Sequence, residues 1–207
     1  MRQGAQIVVA PHMDAAAVHQ MFSVPEAFVS MCKIVREDET TGYLNPTQAQ
    51  IRTIRAIEAN RWTFVTKYRQ AKITTITLMH LLLRDCMYLQ GIAGMLIADT
   101  NARGEVEFGR LRVGDDNLPE PAGSKGSKKE LYFIHGGNII IKSLEGRAPA
   151  VGHSIDRLHI TELGEAIHQQ KAIINLFPGI NKRPNAKLVV ESTPGRAGSY
   201  HERMWHE

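Results

Sequence analysis

The sequence predicts an α/β fold, a largely parallel sheet with helices on both faces. Short runs of β-branched and aromatic residues alternate with longer apolar or amphipathic runs along the 207 residues. The clearest pair, Trp62-Thr63-Phe64-Val65-Thr66 and the apolar run over 76–89, is joined by a short basic segment. Polar residues suited to chemistry follow directly after strand runs: the Lys67 segment, Asp99, Thr161-Glu162 and Ser192-Thr193. In a parallel sheet these positions share the carboxyl edge, where sites gather.

Composition sets outer bounds. Lys and Arg number 25 against 21 Asp and Glu, a formal charge of +4. This permits a nucleic-acid partner without requiring one. Cys32 and Cys86 are far apart and suggest neither a disulfide framework nor an oxidising compartment. The longest apolar run, near residues 78–83, is far short of the ~20 residues of a membrane span, and the N-terminus lacks a continuous signal-peptide core. A cytosolic protein is expected.

In chain order, residues 1–41 form an extension in which 25–35 read as a short amphipathic helix opening on Pro25. Residues 37–41 are a polar break. Asn45 is expected to cap the next helix, with Pro46 at its first position and Ile51, Ile54 and Ile57 on its apolar edge. Gln48, three residues after Asn45, either closes a capping box or offers an amide that reads adenine. A second strand covers 92–98, and 99–118 read as a polar helix and loop carrying Arg103, Arg110 and Arg112. Residues 119–129, rich in Gly, Ser and Lys, read as a flexible basic loop. The runs 132–134 and 139–141 flank a β-hairpin turn. Residues 158–161 form a third core strand. A helix is expected over 163–176, stopped by Pro178-Gly179, then a strand over 188–190 and a last helix from about Ser199.

The basic segment after Thr66 is the centre of the functional reading. A strand, a tight basic loop and a helix opening on Thr74 and Thr75 can bind phosphate, because the helix start offers unpaired N–H groups and a positive dipole end. The threonine of the first turn can place its hydroxyl on Mg²⁺. The plainer alternative is a βα junction with solvated cations. Against the consensus G-x-x-x-x-G-K-[ST], Lys67 and Lys72 fall on the glycines, Ile73 on the lysine and Thr74 on the Ser/Thr. Glu162 either orients a water or places negative charge at a helix start. Ser192-Thr193 either begin a turn or sense a γ-phosphate. His201 and His206 are spaced to diverge around a helix, so zinc is set aside.

Taken together the segments resemble the ATPase domain of the tailed-phage terminase large subunit. Asn45-Pro46-Thr47-Gln48 looks like the family's adenine motif. Lys67-Tyr68-Arg69-Gln70-Ala71-Lys72-Ile73-Thr74-Thr75 looks like its deviant Walker A. Leu158-His159-Ile160-Thr161-Glu162 is similar to its Walker B variant. Glu191-Ser192-Thr193-Pro194-Gly195 and the segment 199–205 resemble its coupling motif and following helix. The match spans about residues 25–207.

The resemblance implies an ASCE-type P-loop NTPase over 42–207, without the family's C-terminal nuclease domain. It implies ATP on Gln48 and residues 67–75, with Mg²⁺ on Thr74 and, through water, on Thr161. Glu162, Arg69 and Lys67 would be catalytic, and Ser192 and Thr193 coupling residues. It further implies double-stranded DNA, a portal protein and a small terminase subunit as partners, a homo-oligomeric ring, no membrane, and action at the procapsid in the host cytoplasm. Four positions depart from the family pattern: Lys72 stands for Gly, Ile73 for the usual lysine, Thr161 for Asp and Val151 for Arg. Lys67 and Lys72 therefore compete as the phosphate lysine, and Arg147, Arg103, Arg110 and Arg112 as the arginine acting in trans. The alternative function is a degenerate module of this fold that binds DNA or a partner without efficient hydrolysis. A different P-loop enzyme such as a helicase fits the Glu191–Gly195 segment less well.

Overall fold

The computed structural model describes residues 24–36, 39–118, 123–127, 129–134, 136–145, 154–166 and 183–194, and singly 174, 176, 178, 180 and 202. Helix α1 spans Pro25–Met31, with proline in its first turn. It is shorter than the run over 25–35 suggests. Cys32 is extended, and Lys33–Val35 form strand β1, which pairs antiparallel with β2, Thr41–Tyr43.

Helix α2 spans Gln48–Ala59 and begins later than expected. Thr47, not Asn45, is the N-cap. Its hydroxyl accepts from the Gln50 N–H, and Gln50 Oε1 accepts from Thr47 N at 2.8 Å. Two frames of identical spacing overlap here, Asn45 with Gln48 and Thr47 with Gln50. Pro46 disfavours helical backbone at Asn45. The later frame also buries Gln50, whose Nε2 donates to Ala71 O at 2.8 Å. Gln48 is left exposed in the first turn and is not the capping glutamine.

The central sheet is built from β3 (Trp62–Thr66), β4 (Ala93–Ala98), β5 (Gly123–Ser127), β6 (Glu130–Phe133), β7 (Asn138–Ser143), β8 (Arg157–Thr161) and β9 (Lys187–Ser192). Their spatial order is β3-β9-β8-β4-β7-β6-β5. The first five are mutually parallel, and β6 and β5 add an antiparallel edge. This is the mostly parallel sheet the sequence predicts. The basic segment expected as a loop over 119–129 differs: its Gly123–Ser127 portion pairs with β6, with a register shift between Lys125 and Ser127. The unpaired edge of β6 offers hydrogen bonds that even a Gly- and Ser-rich segment can take.

The helix after β3, α3, starts as Ile73–Thr77, runs through a π-helical Leu78–Arg84 and ends as Asp85–Tyr88. Helix α4 spans Asn101–Asp116 and is capped by Thr100. These helices, with α1 and α2, cover one sheet face in a core that includes Ile54, Ile76, Leu82, Phe108, Ile139 and Val189. Cys86 is buried there as a small apolar side chain, and burial raises its thiol well above the ordinary value. The opposite face buries Met95, Ile97, Leu158, Ile160, Leu188 and Val190.

The expected helix over 163–176 does not start at Leu163. Leu163–Glu165 form a 3₁₀ turn, and Ala166 is extended. Residues 167–173 lie outside the described residues, whereas 174, 176, 178 and 180 are helical, so Pro178 is not a helix stop. The segment 199–205 also lies outside them, apart from a helical Glu202.

Candidate functional site

All five parallel strands end on one edge, and β9 lies between β3 and β8. The chain leaving β3 is therefore separated from the chain leaving β8 by one strand, and side chains of β9 can touch both. Backbone pairing continues past the strand ends: Lys67 N donates to Ser192 O at 2.9 Å, and Glu162 N donates to Glu191 O at 2.8 Å. These bonds fix where Lys67 and Glu162 leave the sheet.

Lys67 turns back over its own loop. Its Nζ donates to Thr74 Oγ1 at 2.6 Å and pairs with Glu191 Oε2 at 2.6 Å and Glu162 Oε1 at 2.9 Å. Thr74 Oγ1 donates in turn to Glu191 Oε1 at 2.8 Å. Burial works against the Lys67 charge, but Glu191 and Glu162 outweigh it and hold its pKa above the ordinary lysine value. Burial also penalises the Glu191 carboxylate, yet His159 and then Lys67 bring its pKa down to about 2. Glu162 is likewise held below the usual carboxylate range, with Lys67 and the Thr193 N–H offsetting its burial. The cluster is thus one ammonium held by two ionised carboxylates.

The residues between Lys67 and Thr74 form a loop rather than a cage. Tyr68, Arg69, Gln70 and Lys72 are exposed, and Ala71 is tied to Gln50. Gln70 and Lys72 have positive φ, 66° and 55°, and Lys72 is the left-handed N-cap of α3. Ile73, Thr74 and Thr75 begin the helix and are buried.

On the far side of β9, Glu162 is also left-handed, φ 54° and ψ 40°. That conformation costs a non-glycine residue on the order of 1 kcal/mol and persists only where contacts enforce it. Here Thr193 supplies them: its N–H and its hydroxyl both donate to Glu162 Oε2, each at 3.1 Å. Ser192 Oγ accepts from Gly164 N at 2.9 Å and donates to Thr193 O at 2.7 Å. Ser192 and Thr193 therefore hold the turn that carries Glu162. Thr161 is fully buried, and its Oγ1 has no hydrogen-bond partner.

The arginines divide by position. Arg103 reaches the cluster, with Nε 2.8 Å from Asp99 Oδ1 and Nη1 3.8 Å from Glu162 Oε1. Arg110 pairs with Glu107 at 2.8 Å and Arg112 with Asp116 at 3.9 Å, both within α4. Arg147 and Val151 lie outside the described residues.

Sequence reasoning missed Glu191 and His159 as site residues. Glu191 is 0% exposed within a strand paired on both sides, and His159 Nε2 lies 3.3 Å from its Oε1. An acid in an otherwise apolar buried strand was the available signal.

The oxygen-rich donor set fits Mg²⁺ held with nucleotide phosphates. Among the described residues no three His, Cys, Asp or Glu side chains group to hold a metal alone. A Mg²⁺ shared with phosphates needs only one or two carboxylates. Also among the described residues, no helix is long and apolar enough to cross a membrane.

The chain has the fold of phage large terminase ATPase domains. It is similar to the crystal structure of the HK97 bacteriophage large terminase, with a TM-score of 0.76 at 17% sequence identity over 89% of this chain. The chain spans only 40% of the length of that terminase. It is also similar to the large terminase ATPase domain of Thermus phage P74-26, with a TM-score of 0.54 at 17% identity over 77% of this chain and 74% of that one. A mutant of the same domain gives 0.51 at 16% identity over the same shares. No family model and no curated protein matches the sequence.

Proposed function

We propose that the chain is the ATPase unit of a phage DNA-packaging motor, binding Mg²⁺–ATP on the loop from Lys67 to Thr75. The observation that carries this reading is the convergence of Lys67, Thr74, Glu162 and Glu191 at one strand edge. It occurs in a fold that matches large terminase ATPase domains. A degenerate binding module would have no need to keep a lysine, a hydroxyl and two ionised carboxylates in mutual contact.

Bound Mg²⁺–ATP supplies the phosphoanhydride and a cation that draws charge from the phosphate oxygens. The exposed loop backbone and the start of α3 present N–H groups to an anion. Lys67 is the cation for the phosphates and Thr74 the hydroxyl for the metal. Glu162, ionised and fixed by Thr193, accepts a hydrogen bond from the attacking water and orients it. Because Thr193 holds Glu162 directly, movement of Ser192-Thr193 would move the catalytic carboxylate, which suits a coupling role. Arg69 is exposed in the loop, free to meet phosphate or a neighbouring subunit, and Gln48 stands exposed at the start of α2 for adenine. In this reading the chain works in a ring with a portal protein and a small terminase subunit, drives double-stranded DNA, and acts in the host cytoplasm.

Calorimetry with ATP and Mg²⁺ tests the placement. The wild-type chain should bind, and Thr74→Ala should weaken binding about tenfold or more in Mg²⁺ while leaving metal-free binding nearly unchanged. Equal affinity of the two proteins for Mg²⁺–ATP would remove Thr74 from the site.

A further inference from the structure

The position after Ile160 holds Thr161, which has no charge to offer a metal. Across the sheet, Thr161 is the register partner of Glu191 in the parallel β8–β9 pair. Register partners point to the same face, and neighbouring strands are ~4.8 Å apart. A carboxylate missing from β8 is thus present one strand over, on the same face, on a side chain one methylene longer than aspartate.

Three observations bear on what that carboxylate does. Glu191 is 0% exposed, so an ionised acid there needs a cation. Thr74 spends its hydroxyl proton on Glu191 Oε1, which leaves the oxygen lone pairs of Thr74 for a cation. A cation stands there now: the Lys67 ammonium lies 2.6 Å from Thr74 Oγ1, 2.6 Å from Glu191 Oε2 and 2.9 Å from Glu162 Oε1. Hard oxygens converging from α3, β9 and the turn after β8 are the donor set of a divalent ion.

We infer that Glu191 is the metal-facing acid of this site, doing from β9 what an aspartate at Thr161 would do from β8. With Lys67 turned to phosphate, Thr74 and Glu191 would be the residues that hold the divalent ion. The buried Thr161 Oγ1, without a partner of its own, would be available to a water on that ion. This inference rests on the proposal that the Lys67 loop binds Mg²⁺–ATP.

The test measures binding, not turnover. Affinity for a fluorescent ATP analogue is determined with Mg²⁺ and with EDTA, and Mn²⁺ is followed by electron paramagnetic resonance as a probe for the ion. Glu191→Gln should lose most of the metal-dependent gain, tenfold or more, read as the ratio of its affinities with Mg²⁺ and with EDTA. Thr161→Asp combined with Glu191→Gln should restore the gain and the bound-Mn²⁺ signal. A full metal-dependent gain in Glu191→Gln overturns the inference, as does a folded double variant that shows none. If Glu191→Gln does not fold, Glu191→Asp decides. It keeps the charge but shortens the reach, so a threefold or larger loss of the gain supports the assignment and an unchanged gain overturns it. A wild-type chain that binds no nucleotide in either condition would instead remove the ATP reading itself.

Discussion

Lys67 and Thr74 are joined across the candidate phosphate loop, with Lys67 Nζ donating to Thr74 Oγ1 at 2.6 Å. Lys67 is thereby drawn inward, whereas Lys72 is exposed and left-handed at the helix start. Lys67→Ala should lower ATP turnover in the assembled motor about 100-fold or more, the scale of losing one preorganised charge partner. Lys72→Gly should keep turnover and raise stability by about 1 kcal/mol, because glycine adopts positive φ freely. Phosphate-release kinetics and urea melts check both. Turnover lost in Lys72→Gly and kept in Lys67→Ala would reverse the two roles.

Glu162→Gln keeps the shape of the side chain and the acceptor for Thr193 but removes the charge that polarises water. In a packaging-competent assembly the variant should bind ATP within a fewfold of wild type and turn it over about 10²–10⁴-fold more slowly. Single-turnover measurements separate the two steps. Turnover at the wild-type rate would reassign the residue to holding the Ser192-Thr193 turn.

The five parallel strands were legible because each is a short apolar run bounded by polar residues, whereas β1, β2 and the Gly- and Ser-rich β5 carry no such run. Lys67, Glu162 and Ser192-Thr193 were legible because each stands beside a strand end, and Thr74 because it opens the helix after β3. What escaped depended on long-range partners. Glu191 falls just past the strand expected over 188–190 until β3 and β8 pair with β9 on either side and extend it to Ser192. Leu163 reads as a helix start until Ser192 Oγ takes the Gly164 N–H. Thr47 displaces Asn45 as cap once Gln50 finds Ala71 O.

A second charged network, remote from the site, makes stability depend on acid. His80 Nε2 lies 3.0 Å from Glu58 Oε1, Arg84 Nη1 lies 3.1 Å from the same oxygen, and Lys187 Nζ donates to Ile57 O at 2.7 Å. The hydrogen bond from His80 is the largest influence and, against partial burial, brings the Glu58 carboxyl down to about 2. A depressed carboxylate stabilises the fold above its unfolded value of ~4.3 and loses that contribution as pH falls toward 2. The urea midpoint should therefore fall between about pH 4.5 and 2, and Glu58→Gln should flatten the fall. Parallel profiles for the two proteins would show that the Glu58 carboxylate contributes nothing to the acid dependence.

We propose that the lysines at 125, 128 and 129 contact DNA. Lys129 is exposed beside β6, with its Nζ donating to Asn101 Oδ1 at 3.1 Å. Lys125 is in β5, and Lys128 lies between β5 and β6, outside the described residues. This edge is formed by the strand farthest from β3, so it is remote from the Lys67 loop within the sheet. Cations there serve a long polyanion or a neighbouring subunit better than a nucleotide. Each lysine that meets a DNA phosphate releases a counterion, contributing about 0.9 to the slope of log affinity against log salt. Replacing Lys125, Lys128 and Lys129 by glutamine should therefore lower that slope by up to ~2.7 and leave ATP affinity unchanged. DNA binding titrated across a salt series decides. A slope equal to that of wild type would make the edge a solvated surface and send the search for the DNA contact elsewhere on the chain.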